Sequence, residues 1–319
     1  MTDRFSHEAL FYDGPSHFLD GTLPFLRDGL ARDEGMLVAL PADRIARLER
    51  ELGEDAERVC FADMAQLGRN PARIIPAWRD FLDEQAAAGR PFRGIGEPIW
   101  AGRTPGELVE CQHHESLLNL AFDGGPAWRL LCPYDTNALP QDVIHEARRS
   151  HPSLWQDGVG CASASYVSPE ATLSDGDELP PPPPEAHRFA FTREQLSDLR
   201  KLVARCAGSA GLGAERTSDL VLAASEVATN SILHGGGEGT LSIWREPGAL
   251  VCEVRDRGRI TDPLVGRERP SPDKLRGRGI WLINQLCDLV QIRTTPGGSV
   301  VRLRMASGVP ARELFEGDS

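Results

Sequence analysis

The sequence predicts a two-domain α/β protein. Three observations carry this: a length of 319 residues, a proline-rich break at 168–185, and strand-sized apolar runs alternating with helical patterns before that break. Domains commonly hold roughly 100–200 residues, so the length accommodates two. The break reads SPEATLSDGDELPPPPPE, with five consecutive prolines at 180–184. Proline fixes φ and lacks the amide hydrogen, so the run is a stiff segment of roughly 3.1 Å per residue. A spacer between domains explains it better than a peptide ligand for a proline-binding module.

Before the break, strands are expected at 9–12, 36–40, 59–62, 92–95 and 129–132. Helices are expected at 15–32, 42–52, 71–88, 105–121 and 141–149. Strands separated by helices need crossover connections, which favours a layered fold on a largely parallel sheet. Ligands of such sheets sit beyond the strand C-termini, which places Asp13, Glu97 and the segment 132–135 near one edge. There is no GxxxxGK[ST] motif, and Gly94 and Gly96 alone mark a turn rather than a phosphate loop.

Composition narrows the function. A net charge of −12 argues against broad nucleic-acid binding, because displacing counterions from phosphates needs Lys and Arg. The start, MTDRFSHEALFYDG, has no basic stretch followed by an apolar core, so no signal peptide is expected. No apolar run approaches the ~18 residues of a membrane span. The seven cysteines are scattered, without a CxxC pair, as in a reducing compartment. These features predict a cytoplasmic protein with neither membrane nor direct nucleic-acid partners. Cys111, His113, His114 and Glu115 crowd together, but helix neighbours point about 100° apart and cannot all converge on one metal. An ordinary helix with one polar face is expected there.

After the break, 187–191 alternates as a strand, and Thr192 caps a helix reaching about Gly208, with Glu194 and Gln195 in its first turn. A second helix begins near Glu215 and stops at three glycines, 235–237. Leu220, Val221, Ala224, Val227, Ala228 and Ile232 form its apolar arc. Glu226, Asn230 and His234, at i, i+4 and i+8, line the other side. Alone, that is an amphipathic helix with a polar face.

Its companions say more. A strand at 250–254 runs into Asp256, Arg257 and Gly258. An irregular stretch, 259–276, follows with three prolines. Gly277, Arg278 and Gly279 then open a helix to about Leu289. Strands at 290–293 and 300–305 close the pattern, joined through Pro296, Gly297 and Gly298.

In this order the motifs resemble the GHKL ATPases, the superfamily of gyrase, mismatch-repair ATPases and histidine kinases. Each motif alone is weak, and the four in sequence are specific. The resemblance implies an α/β sandwich, a mixed sheet with helices on one face, that binds ATP with Mg²⁺. It assigns the metal to Asn230, whose amide oxygen suits a hard cation. Asp256 would accept a hydrogen bond from the adenine amino group, and Gly258 would let backbone approach the base. Gly277 and Gly279 would present helix N-terminal amides to phosphate. Ser299 stands where a threonine is common near the adenine. Residues 259–276 would be a lid, with Lys274, Arg276 and Arg278 as nearby charges. Ile260 departs from the family, since many relatives have a second glycine there.

The short lid, and NSILHG at 230–235 following Glu226, are most similar to the anti-sigma-factor kinase branch. That branch implies a homodimer that grips a sigma factor and phosphorylates serine or threonine on an anti-anti-sigma partner of the STAS type, with Glu226 as general base. Two alternatives stay open: a non-catalytic ATP-dependent switch, and a sensor histidine kinase. The latter needs a dimerising helical hairpin before the ATP domain, where this chain has its proline-rich segment.

In the first part, HEALFY (7–12), GIGEPIW (94–100) and HESLLN (114–119) resemble the MEDS sensory domain of methanogen and methylotroph proteins. That family is similar to RecA-type ATPases in degenerate form. The resemblance covers about residues 5–160 and implies a sensory role, with a small-molecule ligand as a possible partner. The expected plan is a sensory domain at 1–165, a linker at 166–186, an ATP-binding kinase domain at 187–306 and a tail at 307–319.

Overall fold

The computed structural model describes residues 4–156, 158–174, 178–270 and 278–308. Gly277, Lys274, Arg276 and the expected tail beyond residue 308 lie outside the described residues. The chain divides into two compact units, Met1–Asp175 and Gly176–Ser319. No helix among the described residues is long and apolar enough to cross a membrane.

The first unit runs β1 (Ser6–Tyr12), α1 (Pro15–Ala31), β2 (Gly35–Leu40), α2 (Ala42–Leu52), β3 (Cys60–Asp63), α3 (Met64–Leu67) and α4 (Ile74–Ala87). It continues with β4 (Phe92–Gly96), α5 (Pro105–Ala121), β5 (Arg129–Asp135), α6 (Gln141–Ser150), β6 (Ser153–Gln156), β7 (Val159–Ala162) and α7 (Pro169–Ser174). The seven strands form one sheet in the order β3-β2-β4-β5-β1-β6-β7. Every pairing is parallel except the edge hairpin β6–β7. All six residues of β2, GMLVAL, are buried, as befits a parallel strand covered on both faces. Thr104 starts α5 with a capping box to Glu107, ahead of Pro105 at the first helical position. One core cluster joins Phe18 and Leu26 of α1 to Val38, Leu40, Ile95 and Leu131 of the strands. The short strands β6 and β7 carry too little periodicity to be foreseen.

The second unit contains β8 (His187–Thr192), α8 (Leu196–Ser209), α9 (Ala214–His234), β9 (Glu238–Glu246) and β10 (Ala249–Asp256). It ends with α10 (Gly279–Leu286), β11 (Leu289–Thr295) and β12 (Gly298–Ala306). Its five strands lie in the order β11-β12-β10-β9-β8. The mixed sheet expected here is corrected: every described pairing is antiparallel. Two-residue links, Pro247 and Gly248 between β9 and β10, and Pro296 and Gly297 between β11 and β12, permit only antiparallel neighbours. Strand β9 was not anticipated, although Leu241 and Ile243 alternate in it with Ser242 and Trp244.

One sheet face packs Leu241, Ile243, Leu250, Cys252, Val254, Val301 and Leu303 against helix residues that include Leu199, Val203, Leu220, Val227 and Ile283. Burying each such side chain contributes about 1.5–3 kcal/mol before entropy is counted. On the opposite face the wholly buried Glu253 accepts from Arg302 Nε at 2.9 Å and from Arg255 Nε at 2.6 Å. Arg302 also donates to the carbonyl of Pro180, and Ala186 packs with Trp244 and Val251. The end of the proline segment therefore rests on this face of the second sheet.

Candidate functional site

The helix α9 positions the first group of side chains. Its apolar arc, Leu220, Ala224, Val227 and Ala228, is buried, which turns Glu226 and Asn230 to the opposite, half-buried side. Gly279 begins α10 against this pair. A Cβ there would stand 3.0 Å from Glu226 Oε2 and 3.4 Å from Asn230 Nδ2. The start of α10, with amide hydrogens that no intrahelical carbonyl takes up, thus faces a carboxylate and an amide one helical turn apart. Glu226, Asn230 and Gly279, foreseen from sequence, are brought together.

Asp256 ends β10 directly opposite Ser299 of β12. Its Oδ1 accepts from Ser299 Oγ and from the Gly258 amide, each at 2.7 Å. Its Oδ2 accepts from Ser231 Oγ at 2.6 Å. Ser231 also lies 3.2 Å from the Val227 carbonyl, but one hydroxyl hydrogen serves one partner, and the closer, charged oxygen takes it. A carboxylate has about four acceptor positions, so one remains free, on Oδ2. Gly258 is held close as well, since a Cβ there would lie 2.9 Å from the His234 carbonyl. Asp256, Gly258 and Ser299 form a second group, linked to the first by Ser231, the neighbour of Asn230 on α9.

The described part of the expected lid is tied down on two sides. Thr294 Oγ1 accepts from the Ile260 amide at 3.2 Å and donates to its carbonyl at 2.8 Å. Asn284 Nδ2 of α10 donates to the Gly266 carbonyl at 2.9 Å. Ile260, the departure expected in this stretch, is therefore fastened to β11.

Sequence reasoning missed Ser231, Gly235 and Gly298. A Cβ on Gly235 would lie 2.5 Å from Asp256 Cγ, and one on Gly298 would lie 1.8 Å from the Asp256 carbonyl oxygen, at φ +133°. Both glycines had been read only as a helix stop and a turn. The hydroxyl directly after Asn230 was the signal for Ser231.

In the first unit the expected C-terminal sheet edge gathers Glu97 and Asp135 around Arg44 of α2. Arg44 Nε lies 3.1 Å from Glu97 and its Nη2 lies 3.5 Å from Asp135, while the Tyr12 hydroxyl donates to Glu97 at 3.0 Å. Asp13 instead pairs with His17 at the surface. Burial pushes the Glu97 carboxyl up to about 8; Arg44 and Tyr12 pull it back, and Asp135 and Asp43 add to the rise.

Residues 6–152 match the family model described as MEDS, the methanogen/methylotroph DcmR sensory domain. Residues 189–305 match the model of the histidine kinase-like ATPase domain. No curated protein matches the chain. Among solved structures, the chain is similar to the RsbU and RsbW domains of a Mycobacterium tuberculosis protein, at 18% identity and a TM-score of 0.30. That likeness covers 40% of this chain and 35% of the other, about a third of that structure's length.

Proposed function

From a chain that joins a MEDS domain to a histidine kinase-like ATPase domain, we propose an anti-sigma-factor-type regulator that binds ATP with Mg²⁺. In this reading it phosphorylates serine or threonine on an anti-anti-sigma partner of the STAS type and controls a sigma factor, as a cytoplasmic homodimer. The N-terminal domain, 1–165, tunes the domain at 187–306 through the linker 166–186. The observation that carries the proposal is the placement of Glu226 and Asn230 against the start of α10 at Gly279.

The residues present fit the ligand. Asn230 offers an amide oxygen for the metal, α10 offers amide hydrogens for phosphate, and Asp256 keeps one acceptor position for an amino group. Mg·ATP supplies the transferable phosphoryl group and, through the metal, neutralises its charge. Glu226 takes the proton of the incoming hydroxyl, one turn from the residue that holds the metal. Autophosphorylation on His7 or His114 is disfavoured, because both are 1% exposed inside the first unit.

The test is radiolabelled ATP with candidate STAS-domain proteins. Wild type should label the partner on serine or threonine. Glu226→Gln should retain nucleotide affinity and slow transfer by about 10²–10⁴-fold, the usual contribution of a positioned base. Asn230→Ala should lose Mg-dependent binding and transfer together. A partner that is bound but never phosphorylated replaces the kinase with a nucleotide-dependent switch, and self-labelling on histidine replaces it with a histidine kinase.

A further inference from the structure

Four side chains distant in sequence meet inside the first unit. They are His7 of β1, Glu115 of α5, Cys132 of β5 and His151 at the end of α6, all buried. The parallel pairing of β1 with β5 and the packing of α5 beside α6 bring them together. His7 Nε2 lies 3.0 Å from Glu115 Oε2 and 3.3 Å from Cys132 Sγ. His151 Nε2 lies 3.2 Å from the same carboxylate oxygen. The four candidate ligand atoms all lie within 4.8 Å of one another. Cys111, by contrast, donates to the Pro98 carbonyl, so only Glu115 of the crowded 111–115 segment joins the cluster.

The outer hydrogen bonds decide where the imidazole protons sit. Asn119 Nδ2 donates to the Ser150 carbonyl at 2.7 Å, which leaves its Oδ1 to accept from His7 Nδ1 at 3.1 Å. His151 Nδ1 lies 2.7 Å from the Ala147 carbonyl, a group that can only accept. Both neutral rings therefore carry their proton on Nδ1 and turn an Nε2 lone pair inward. They face a carboxylate that also has only lone pairs to offer, and the Cys132 thiol, 3.3 Å from His7 Nε2, brings a single hydrogen to all of these acceptors. His151 Nε2 and Glu115 Oε1 have no hydrogen-bond partner. The two ring centroids stand 4.0 Å apart.

We propose that this cluster binds one divalent transition-metal ion of the zinc class, through Nε2 of His7 and His151, Sγ of Cys132 and a carboxylate oxygen of Glu115. Two nitrogens, one sulfur and one oxygen suit a borderline-soft ion in tetrahedral coordination. Metal–ligand bonds of about 2.0–2.3 Å set tetrahedral ligands roughly 3.3–3.8 Å apart. The observed contacts of 3.0–3.3 Å, under an outer limit of 4.8 Å, bracket that spacing. Asn119 and the Ala147 carbonyl supply the outer hydrogen bonds that orient metal-binding imidazoles. As the metal–sulfur bond forms, the Cys132 thiol releases its proton to solvent. Four protein ligands and full burial leave no position for substrate, so the ion clamps β1, β5, α5 and the end of α6. Its presence or loss then sets the rigidity of the sensory unit.

The probe is Co²⁺ alone, added to the intact, reduced, chelator-stripped chain without nucleotide. One ion per chain should bind, giving the visible bands of tetrahedral cobalt and a near-ultraviolet thiolate-to-cobalt band, both erased by Zn²⁺. Cys132→Ser should remove the thiolate band, and Asn119→Ala should weaken binding by about 10–100-fold. Absence of tetrahedral bands in folded wild type overturns the proposal. So does a thiolate band that survives Cys132→Ser, since it then arises at another cysteine. Should Cys132→Ser not fold, the band must persist in a variant in which the exposed Cys60 and Cys161 are both replaced by serine; its loss there overturns the site.

Discussion

The two sheets treat polar side chains in opposite ways. Around the parallel sheet of the first unit, His7, Glu97, Glu115 and His151 are at most 1% exposed and face one another or other protein groups, with His151 Nε2 and Glu115 Oε1 left without a hydrogen-bond partner. In the second unit Glu226 and Asn230, on the exposed side of α9, and Asp256, at the end of a strand, are only half-buried. Its wholly buried acid, Glu253, sits on the face away from the helices, between two arginines. Strands covered on both faces turn polar groups toward one another, whereas a sheet with helices on one face leaves its margins open to an incoming ligand. The first unit turns its chemistry inward and the second turns it outward.

The sharpest contrast between the units concerns two glycines. Gly298→Ala drives a Cβ into the Asp256 carbonyl and should destabilise the second unit by about 3–5 kcal/mol. Gly14→Ala, at φ +105° with nothing within 4 Å, should cost the first unit only the backbone strain of about 1–3 kcal/mol. Chemical denaturation of both variants measures the difference, and equal costs would break the claim that the second site is sterically closed around Asp256.

The inward character of the first unit has a pH signature. Burial raises the Glu97 carboxyl in the folded state from an ordinary 4.5 to about 8, so folding favours the protonated form. The stability this contributes is fully present below about 4.5 and is lost as pH rises through about 8. The loss should amount to roughly 3–5 kcal/mol across that window, and Glu97→Gln should flatten it. Urea unfolding at both ends of the range, in wild type and variant, decides it; a wild-type profile no steeper than the variant's would show that Arg44 keeps the carboxyl ionised.

The outward character of the second unit is tested by affinity. Asp256→Asn should weaken ATP binding by about 5- to 150-fold, the equivalent of about 1–3 kcal/mol for a buried partner left unmatched. Calorimetry on the folded variant reads this directly, and unchanged affinity would remove Asp256 from the site. Ser231→Ala is the smallest change. It deletes one of three donors to the same carboxylate and should cost about 0.5–1.5 kcal/mol, or roughly 2- to 12-fold in affinity.

The sequence exposed these two sites unequally. In the second unit Glu226 and Asn230 stand one turn apart on one helix, and Asp256, Gly258, Gly279 and Ser299 fall at or beside the ends of regular elements, so local motifs mark them. The strand β9 is hard to see in sequence because glycines precede it and Leu241, Ser242, Ile243 and Trp244 are all buried, so no polar face marks an alternation. In the first unit the five main strands and their helices were visible from alternation. The meeting of His7, Glu115, Cys132 and His151 was not, because no two of them stand at a ligand spacing. The strand order, which sets β5 beside β1, and the packing of α5 beside α6 make them neighbours. Among its helix neighbours alone, Glu115 has no group with which to converge.

The fixed carboxylate of Asp256 has a consequence for which base a bound nucleotide can carry. Three donors hold it from the Gly258 backbone, the Ser299 hydroxyl and the Ser231 hydroxyl, so the one lone pair left on Oδ2 points in a fixed direction. Adenine bound as proposed brings an amino hydrogen to that lone pair. Guanine carries a carbonyl oxygen at the same ring position, and two acceptors would then confront each other with no hydrogen between them. Discrimination by a site built to pair one hydrogen-bonding group exceeds what shape alone provides. On the proposed function, the same three contacts that hold the acid in place would make the pocket a reader of purine identity.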